Sequence, residues 1–335
     1  MPFPYYSGTS SARKRERPVT LPESNFYDLI RPENYFPDVG LVHAVNVALT
    51  LGMPLLVTGE AGTGKTRLAY HIAHNLGFEE PLRFETKSTS TAKNLFYTFD
   101  TLGRFHAAQK TKGTINDIDF LTYNALGSAI LKANDKKNVV DFLPKDFIHT
   151  GKQRSVVLID EIDKAPRDFP NDLLTEIEEM CFRITEIKNI EIKAEKDMRP
   201  VIIITSNSEK HLPDPFLRRC VYYHIPFPDK DRLQDIVTKR MHNFAVDHKN
   251  IVPEALDFFW TLRSTKYNLS KKPSTAELLN WLYFLQERLD QGRLSLKKQP
   301  DTLLNTLSIL VKTPQDIEKA RNAINDWTEL NQDEY

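Results

Sequence analysis

The segment "LLVTGEAGTGKTRLAYHIAHNLG", residues Leu55 to Gly77, decides the fold of this chain. It begins with an apolar run typical of a buried strand and ends in a helical pattern that stops at Gly77. Between them, "GEAGTGKT" fits the pattern G-x-x-x-x-G-K-[ST], which in this context predicts a loop that binds nucleotide phosphates. Glycines let backbone N–H groups surround a phosphate, and the following helix adds its positive dipole end.

The phosphate loop predicts a consecutive set of nucleotide contacts. We expect a bound nucleotide to touch Gly59, Glu60, Ala61, Gly62, Thr63, Gly64, Lys65, Thr66 and Arg67. The ammonium of Lys65 would reach the β- and γ-phosphates of ATP, and the hydroxyl of Thr66 would bind Mg²⁺.

A second motif, "SVVLIDEIDKAP", places Asp160 and Glu161 at the carboxyl end of an apolar strand. Ligands of open α/β sheets bind at that edge. Asp160 would hold Mg²⁺, and Glu161 would orient and deprotonate an attacking water. A single Mg²⁺ carboxylate also fits a kinase, whereas the adjacent pair favours water as the acceptor. The motif therefore predicts hydrolysis.

Two further segments supply polar candidates. "VIIITSNS" ends an apolar strand, and Asn207 could contact the attacking water or the γ-phosphate. "LPDPFLRRC" places Arg218 and Arg219 just before the strand "VYYHIPF". One interpretation is an exposed pair that favours a helix dipole. The other is an arginine finger that neutralises charge on the γ-phosphate and contributes on the order of 10³–10⁵ in rate.

The alternation of apolar strands and helical segments predicts an α/β fold: a parallel sheet with helices on both faces. From residue 229 onward the periodicity is helical throughout. We expect an N-terminal arm at 1–34, partly disordered, a nucleotide-binding α/β domain at 35–228 and a small all-helical lid domain at 229–335. The polar span from Phe105 to Thr150 is interpreted as an insertion or surface element holding one helix, "TYNALGSAILKAN".

Composition limits the classes of partner. Lys plus Arg and Asp plus Glu both number 45, so a charged surface for nucleic acid or membrane is not expected. The basic cluster Arg13 to Arg17 is interpreted as part of a solvated arm. No run approaches the ~20 apolar residues of a membrane span. The first residues lack the apolar core of a signal peptide, and two isolated cysteines, Cys181 and Cys220, fit a reducing compartment, so we expect a cytoplasmic protein.

The order "GEAGTGKT", "VVLIDEIDKA", "IIITSNS", "LPDPFLRRC" resembles the AAA+ ATPases. Its details resemble the MoxR branch, especially the CoxD-like group associated with carbon monoxide dehydrogenase maturation, over Tyr35 to Gln286. The resemblance implies a ring, commonly a hexamer, with ATP between neighbouring subunits. It assigns the Mg²⁺ carboxylate to Asp160, the catalytic glutamate to Glu161, the sensor to Asn207 and a finger acting on the neighbour to Arg219 rather than Arg218.

One position departs from the resemblance. Relatives commonly carry an arginine at the start of a lid helix, whereas "KPSTAELL" has Ala276 there. The lid's contact with the γ-phosphate is therefore open, and Lys271 or Lys272 could replace it. The segment Phe182 to Pro200 corresponds to a hairpin that in this branch often faces the pore of the ring or a partner.

The resemblance predicts a ring ATPase that remodels or matures a protein or metalloenzyme partner together with a von Willebrand factor A domain protein. The alternative is an ATP-dependent scaffold in a signalling or defence system that hydrolyses little ATP, as the missing lid arginine would allow. A nucleic-acid motor fits least, because the charge is balanced and basic residues do not alternate with aromatic ones.

Overall fold

The computed structural model describes residues 20–21, 31–110, 115–208, 212–247, 250–287 and 295–329. The predicted basic cluster Arg13 to Arg17 and most of the predicted arm at 1–34 lie outside the described residues. None of the helices in the described ranges is long and apolar enough to cross a bilayer.

A parallel sheet of five strands forms the centre of the molecule. The strands in the described part of the chain are β1 (Leu55–Gly59), β2 (Leu82–Glu85), β3 (Tyr97–Phe99), β4 (Leu121–Tyr123), β5 (Val156–Asp160), β6 (Cys181–Ile184), β7 (Ile190–Lys193), β8 (Val201–Thr205) and β9 (Val221–Ile225). In the sheet, the strands follow the order β2-β5-β8-β1-β9. Two antiparallel hairpins, β3–β4 and β6–β7, stand outside the sheet. The predicted α/β fold with a parallel sheet is confirmed.

Helices cover both faces of the sheet and make up the C-terminal region. They are α1 (Val39–Leu51), α2 (Lys65–Asn75), α3 (Ala92–Phe96), α4 (Thr101–Lys110), α5 (Ala125–Lys132), α6 (Lys136–Val139), α7 (Phe169–Asp172), α8 (Leu174–Glu179), α9 (Asp214–Leu217), α10 (Lys230–Arg240), α11 (His242–Asp247), α12 (Ile251–Arg263), α13 (Thr275–Gln286), α14 (Pro300–Leu310) and α15 (Pro314–Glu329).

Side chains that alternate along each strand divide the sheet into two cores. In β1, Leu55 and Val57 pack with α1 and α2, whereas Leu56 packs on the opposite face with α5. Strands β5 and β8 alternate in the same way. Since both faces are buried, these strands are continuously apolar, as expected for a parallel sheet between two layers of helices.

The interpretation of Phe105 to Thr150 as an insertion or surface element is wrong for its centre. Helix α5 packs against β2 and β5, and seven consecutive residues, Ala125 to Leu131, are buried. A Cβ at Gly127 would lie 2.0 Å from the carbonyl oxygen of Phe96, so this helix needs glycine to approach α3 closely. The apolar run is short and its flanks are polar, so composition alone does not indicate that it is buried. Helix α4, by contrast, buries none of its residues 101–110 and lies at the surface.

Helices α10 to α15 enclose a separate apolar core. Trp281 lies at its centre, fully buried, and its indole Nε1 donates to the Thr306 hydroxyl at 2.9 Å. Ser274 caps α13: its hydroxyl accepts from the backbone of Glu277, whose carboxylate accepts from the backbone of Ser274. The predicted all-helical character of the C-terminal region is confirmed for its described residues.

The hairpin β6–β7 is tied to the rest of the domain by Glu186. Its carboxylate accepts from Lys93 Nζ and from the Tyr97 hydroxyl, both at 2.7 Å. Burial opposes ionisation of Glu186, but these hydrogen bonds outweigh it and lower the pKa of the carboxyl from 4.5 to about 2. The folded state therefore favours the ionised form.

Replacement of Glu186 should make the free energy of unfolding depend less on pH in the acidic range. A carboxyl whose pKa is lower in the folded state stabilises above its unfolded pKa and loses that contribution as the pH falls toward its folded pKa. We expect Glu186→Gln to lower the free energy of unfolding by about 2 kcal/mol at pH 7, with the difference shrinking from pH 4.5 toward pH 2. Urea denaturation at several pH values measures this. Glu191→Gln, on the exposed side of the same hairpin, is the control, and a difference that does not depend on pH would contradict the assignment.

Candidate functional site

The phosphate loop runs from the end of β1 to the start of α2 and needs glycine at its junctions. Gly64, the residue before α2, has φ 92°, and a Cβ there would lie 2.9 Å from Cε2 of Tyr35. Gly59 has φ 145°, and a Cβ there would lie 2.6 Å from the carbonyl oxygen of Ile225. Other residues would be strained in both places. The loop therefore takes its shape from the sheet edge and from Tyr35.

Lys65 lies folded over this loop. Its Nζ donates to the carbonyl oxygens of Gly59 at 2.8 Å and Glu60 at 2.9 Å. The residue is only 7% exposed, and burial lowers the pKa of the ammonium although four carboxylates, with Asp163 the strongest, act in the opposite direction. The ammonium is thus held at the mouth of the loop by acceptors that a phosphate can replace.

Asp160, at the end of β5, lies at the centre of the site and is 2% exposed. One carboxylate oxygen, Oδ1, accepts from the hydroxyl of Thr66 at 3.0 Å and from that of Thr205 at 2.6 Å. The other, Oδ2, accepts from Arg83 through Nε at 3.1 Å and Nη2 at 2.7 Å. The structure therefore brings together the two residues predicted to hold Mg²⁺. A carboxylate beside a hydroxyl at the phosphate loop is a donor set that suits that ion.

Glu161 follows Asp160 in the left-handed conformation, with φ 56°. Its backbone N–H donates to the Thr205 hydroxyl at 2.9 Å, and its carboxylate pairs with Lys164. A left-handed backbone at a residue other than glycine is strained, and such residues cluster at functional sites. Glu161 therefore shares the sheet edge with Asp160, and its carboxylate is already paired with a cation of the same chain.

Asn207 lies two residues after β8, the strand next to β5 in the sheet. Its backbone N–H donates to Oδ1 of Asp163 at 3.1 Å, and the residue itself is exposed. The link joins the segment after β8 to the turn after β5. Asn207 is thus at the same edge of the sheet as Asp160 and Glu161.

Arg218 and Arg219 lie at the other edge of the sheet. The backbone N–H of Val221 bonds to the carbonyl oxygen of Pro54, just before β1, so Arg219 lies at the amino end of that strand. Its Nε is 2.5 Å from Oε1 of Glu178. Since five residues of strand span about 16 Å, Arg219 is on the far side of the sheet from its own phosphate loop.

A cavity of about 420 Å³ opens beside the phosphate loop. Its walls are the segment Tyr35 to Asp38, the loop from Gly62 to Gly64, the segment from Ile225 to Asp229 and side chains of α2, α10 and α13. Two buried polar atoms on its wall, Arg67 Nε and Thr275 Oγ1, have no hydrogen-bond partner within the described part of the chain. Unpaired buried polar atoms are costly, and a polar ligand would satisfy them.

Two residues of the Asp160 cluster are not predictable from sequence patterns. Arg83 reaches Asp160 because β2 pairs with β5, and no local signal indicates that pairing. Thr205 is the last residue of β8, two positions before Asn207. Its position at the predicted end of an apolar strand is the one signal in the sequence that points to it.

Residues 54–220 match the sequence profile of the AAA domain, dynein-related subfamily. The match covers just under half of the chain, from the residue before β1 to the residue before β9. It includes the phosphate loop, Asp160, Glu161, Asn207 and Arg219. The matched segment therefore contains every catalytic and phosphate-contact residue that the motifs predict.

Similar solved structures include the RuvB Holliday junction branch migration motor of Thermotoga maritima, at 14% identity and a TM-score of 0.40. That alignment covers 84% of this chain and 66% of the motor, just under two thirds of its length. A single-substitution mutant of the same motor aligns at 15% identity and a TM-score of 0.42, over 85% of this chain and 68% of that one. No curated protein matches the sequence.

Replacement of Thr275 tests whether the cavity binds the nucleoside part of ATP. Thr275→Val removes a buried hydroxyl that has no hydrogen-bond partner among the described residues, and it keeps the shape of the side chain. The nucleotide-free protein should therefore gain about 1 kcal/mol of stability. If the cavity receives the nucleoside, affinity for ATP should fall roughly fivefold. Thermal unfolding and titration calorimetry measure the two effects.

Thr306→Val is the matched control, because the Thr306 hydroxyl is buried and bonded to Trp281 and to the carbonyl oxygen of Thr302. It should destabilise the protein and leave ATP affinity unchanged. Unchanged ATP affinity in Thr275→Val would show that this hydroxyl does not contact the nucleotide.

Proposed function

We propose that this chain is an ATP-hydrolysing AAA+ protein of MoxR type, built as a nucleotide-binding domain at 35–228 and a helical lid at 229–335. It would act as a ring, commonly a hexamer, that remodels or matures a protein or metalloenzyme partner in the cytoplasm. The observation that supports ATP hydrolysis best is the meeting of Lys65, Thr66, Asp160 and Glu161 at one edge of the sheet. Together they provide a phosphate cradle, a cation site and a base.

The chemistry assigned to these residues is transfer of the γ-phosphate of ATP to water. Lys65 exchanges its two loop carbonyls for phosphate oxygens and neutralises their charge. Mg²⁺ held by Thr66 and Asp160 would stabilise charge on the β- and γ-phosphates. Glu161 takes a proton from the attacking water, for which its carboxylate has to leave Lys164, while Asn207 orients the water. The products are ADP and phosphate.

The position of Arg219 supports a site shared between neighbouring subunits. It lies at the amino edge of β1, beside Gly52 at the end of α1. On the isolated chain, α1 exposes Val39, Val42, Val47 and Leu51, of which Leu51 is 61% exposed. An apolar helix face next to a cation suits contact with another protein surface. We propose that a neighbour covers α1 and receives Arg219 at its own phosphate loop.

A von Willebrand factor A domain protein and a protein client are the proposed partners. They follow from the resemblance of the motifs to the MoxR branch. The balanced net charge of the chain does not favour nucleic acid as a partner.

An ATP-bound scaffold with little turnover is the second candidate. Both carboxylates at the sheet edge are paired with cations of the same chain, Asp160 with Arg83 and Glu161 with Lys164. If those pairs persist with ATP bound, water activation is slow. Steady-state ATP hydrolysis, measured with and without the von Willebrand factor A partner, separates the two candidates.

Glu161→Gln tests the proposed base. Glutamine keeps the size of the side chain but cannot accept a proton, so turnover should fall by at least a hundredfold while the dissociation constant for ATP stays within about twofold. Phosphate release and titration calorimetry provide the measurements. Glu191→Gln, an exposed glutamate of the hairpin, serves as control, and turnover in Glu161→Gln equal to that of the unmodified chain would eliminate Glu161 as the base.

Mixing two inactive variants tests whether the site is shared. Subunits with Arg219→Ala keep Glu161, and subunits with Glu161→Gln keep Arg219, so a mixed assembly contains some complete sites. We expect hydrolysis to reappear in the mixture and to peak at an intermediate ratio. Arg183→Ala subunits, which change an exposed ion pair, are the control for loss of an arginine. Absence of rescue at every ratio would argue against a trans-acting Arg219.

A further inference from the structure

Arg263, the last residue of α12, is a charged side chain buried beside the phosphate loop. Its side chain is 6% exposed. Nη1 donates to the carbonyl oxygen of Pro273 at 2.6 Å, and Nη2 donates to Oε2 of Glu60 at 2.9 Å. The guanidinium carbon lies 3.3 Å from the centre of the Phe227 ring. These contacts fix the plane of the guanidinium, so its direction toward Glu60 is set by the packing of the C-terminal helices.

Glu60 continues this connection into the phosphate loop. Its carboxylate binds Arg263, while its backbone carbonyl accepts from Lys65 Nζ and from the hydroxyl of Thr63, both at 2.9 Å. One residue of the loop therefore contacts both the C-terminal helices and the lysine that would bind phosphate. If Lys65 moves onto a phosphate, the backbone carbonyl of Glu60 loses a hydrogen-bond donor.

The start of α13 closes against the same loop but adds no charge. A Cβ at Gly62 would lie 2.6 Å from the hydroxyl of Ser274 and 3.7 Å from Cβ of Ala276. Ala276 is thus next to the loop, with a side chain of one carbon. Lys271 and Lys272, the two residues that could replace the missing arginine, are exposed. Among the described residues of this region, the buried basic group that contacts the loop is Arg263.

We propose that Arg263 is a positioning residue of the nucleotide site, which holds the lid on the phosphate loop through Glu60. The inference rests on the proposed function as an ATPase. Glu60 belongs to the part of the loop that would wrap around the β-phosphate, whereas an arginine at position 276 would report on the γ-phosphate. The lid of this protein therefore responds to any nucleotide with a β-phosphate, so ATP and ADP engage it alike and AMP does not.

The test compares the dissociation constants of ATP, ADP and AMP, measured by titration calorimetry with Mg²⁺. Glu161→Gln is the background, so that ATP is not consumed. In Glu60→Gln and in Arg263→Gln we expect the constants for ATP and ADP to rise by the same factor, about tenfold, and the constant for AMP to stay unchanged. Because both variants break one contact, the double variant should bind no more weakly than Arg263→Gln alone.

Lys266→Gln is the matched control. Lys266 lies three residues beyond Arg263 and pairs with Asp326 at an exposed position, so nucleotide affinity should not change. Arg263 is buried, and circular dichroism shows whether its variant folds. If it does not, Glu60→Gln, at a half-exposed carboxylate, carries the test through the ratio of ADP to AMP affinity, which general destabilisation of the lid would not alter.

The proposal is overturned if Glu60→Gln binds ADP like the background protein, if ATP affinity falls without ADP affinity, or if the losses of the two single variants add in the double variant. Binding of none of the three nucleotides by the unmodified chain would instead overturn the proposed function. The two failures are therefore distinguishable.

Discussion

The carboxylate of Asp160 is the interaction on which the site depends. A charge that is 2% exposed is tolerable only when its lone pairs are satisfied, and here four donors from three segments do this. Thr66 belongs to the helix after the phosphate loop, Thr205 to β8 and Arg83 to β2. Their common acceptor fixes these segments relative to one another. The cost of burying one charge thus sets the geometry of the edge.

The two-sided sheet explains how that edge is held in place. Strands β1, β5 and β8 lie side by side and are buried on both faces, so their carboxyl ends cannot shift register without exposing apolar side chains. The polar residues that follow these strands are therefore held in fixed positions as well. A reactive group supported by a packed core is positioned more accurately than one on a free loop. The phosphate loop is held in the same way, because it follows β1, which lies between β8 and β9 in the sheet.

Local patterns in the sequence were sufficient for the phosphate loop, the apolar strands and the helical C-terminal region. They failed where partners are distant along the chain. Arg83 meets Asp160 only through the pairing of β2 with β5, and Arg263 meets Glu60 only because α12 packs near the loop. They also failed for the centre of the span from Phe105 to Thr150, because the buried run Ala125 to Leu131 is short and its flanks are polar. Periodicity reports burial of a segment; it does not report which segment lies opposite.

The separation of Arg219 from its own phosphate loop by the width of the sheet gives the proposed assembly a direction. In that assembly each subunit would donate an arginine from one edge of its sheet and receive one at the other, so contacts would repeat head to tail. In an open row of such subunits, the receiving edge at one end stays without an arginine, and the arginine at the other end has no recipient. Closure into a circle is the arrangement that completes all of them. Assembly and chemical competence would then be the same event.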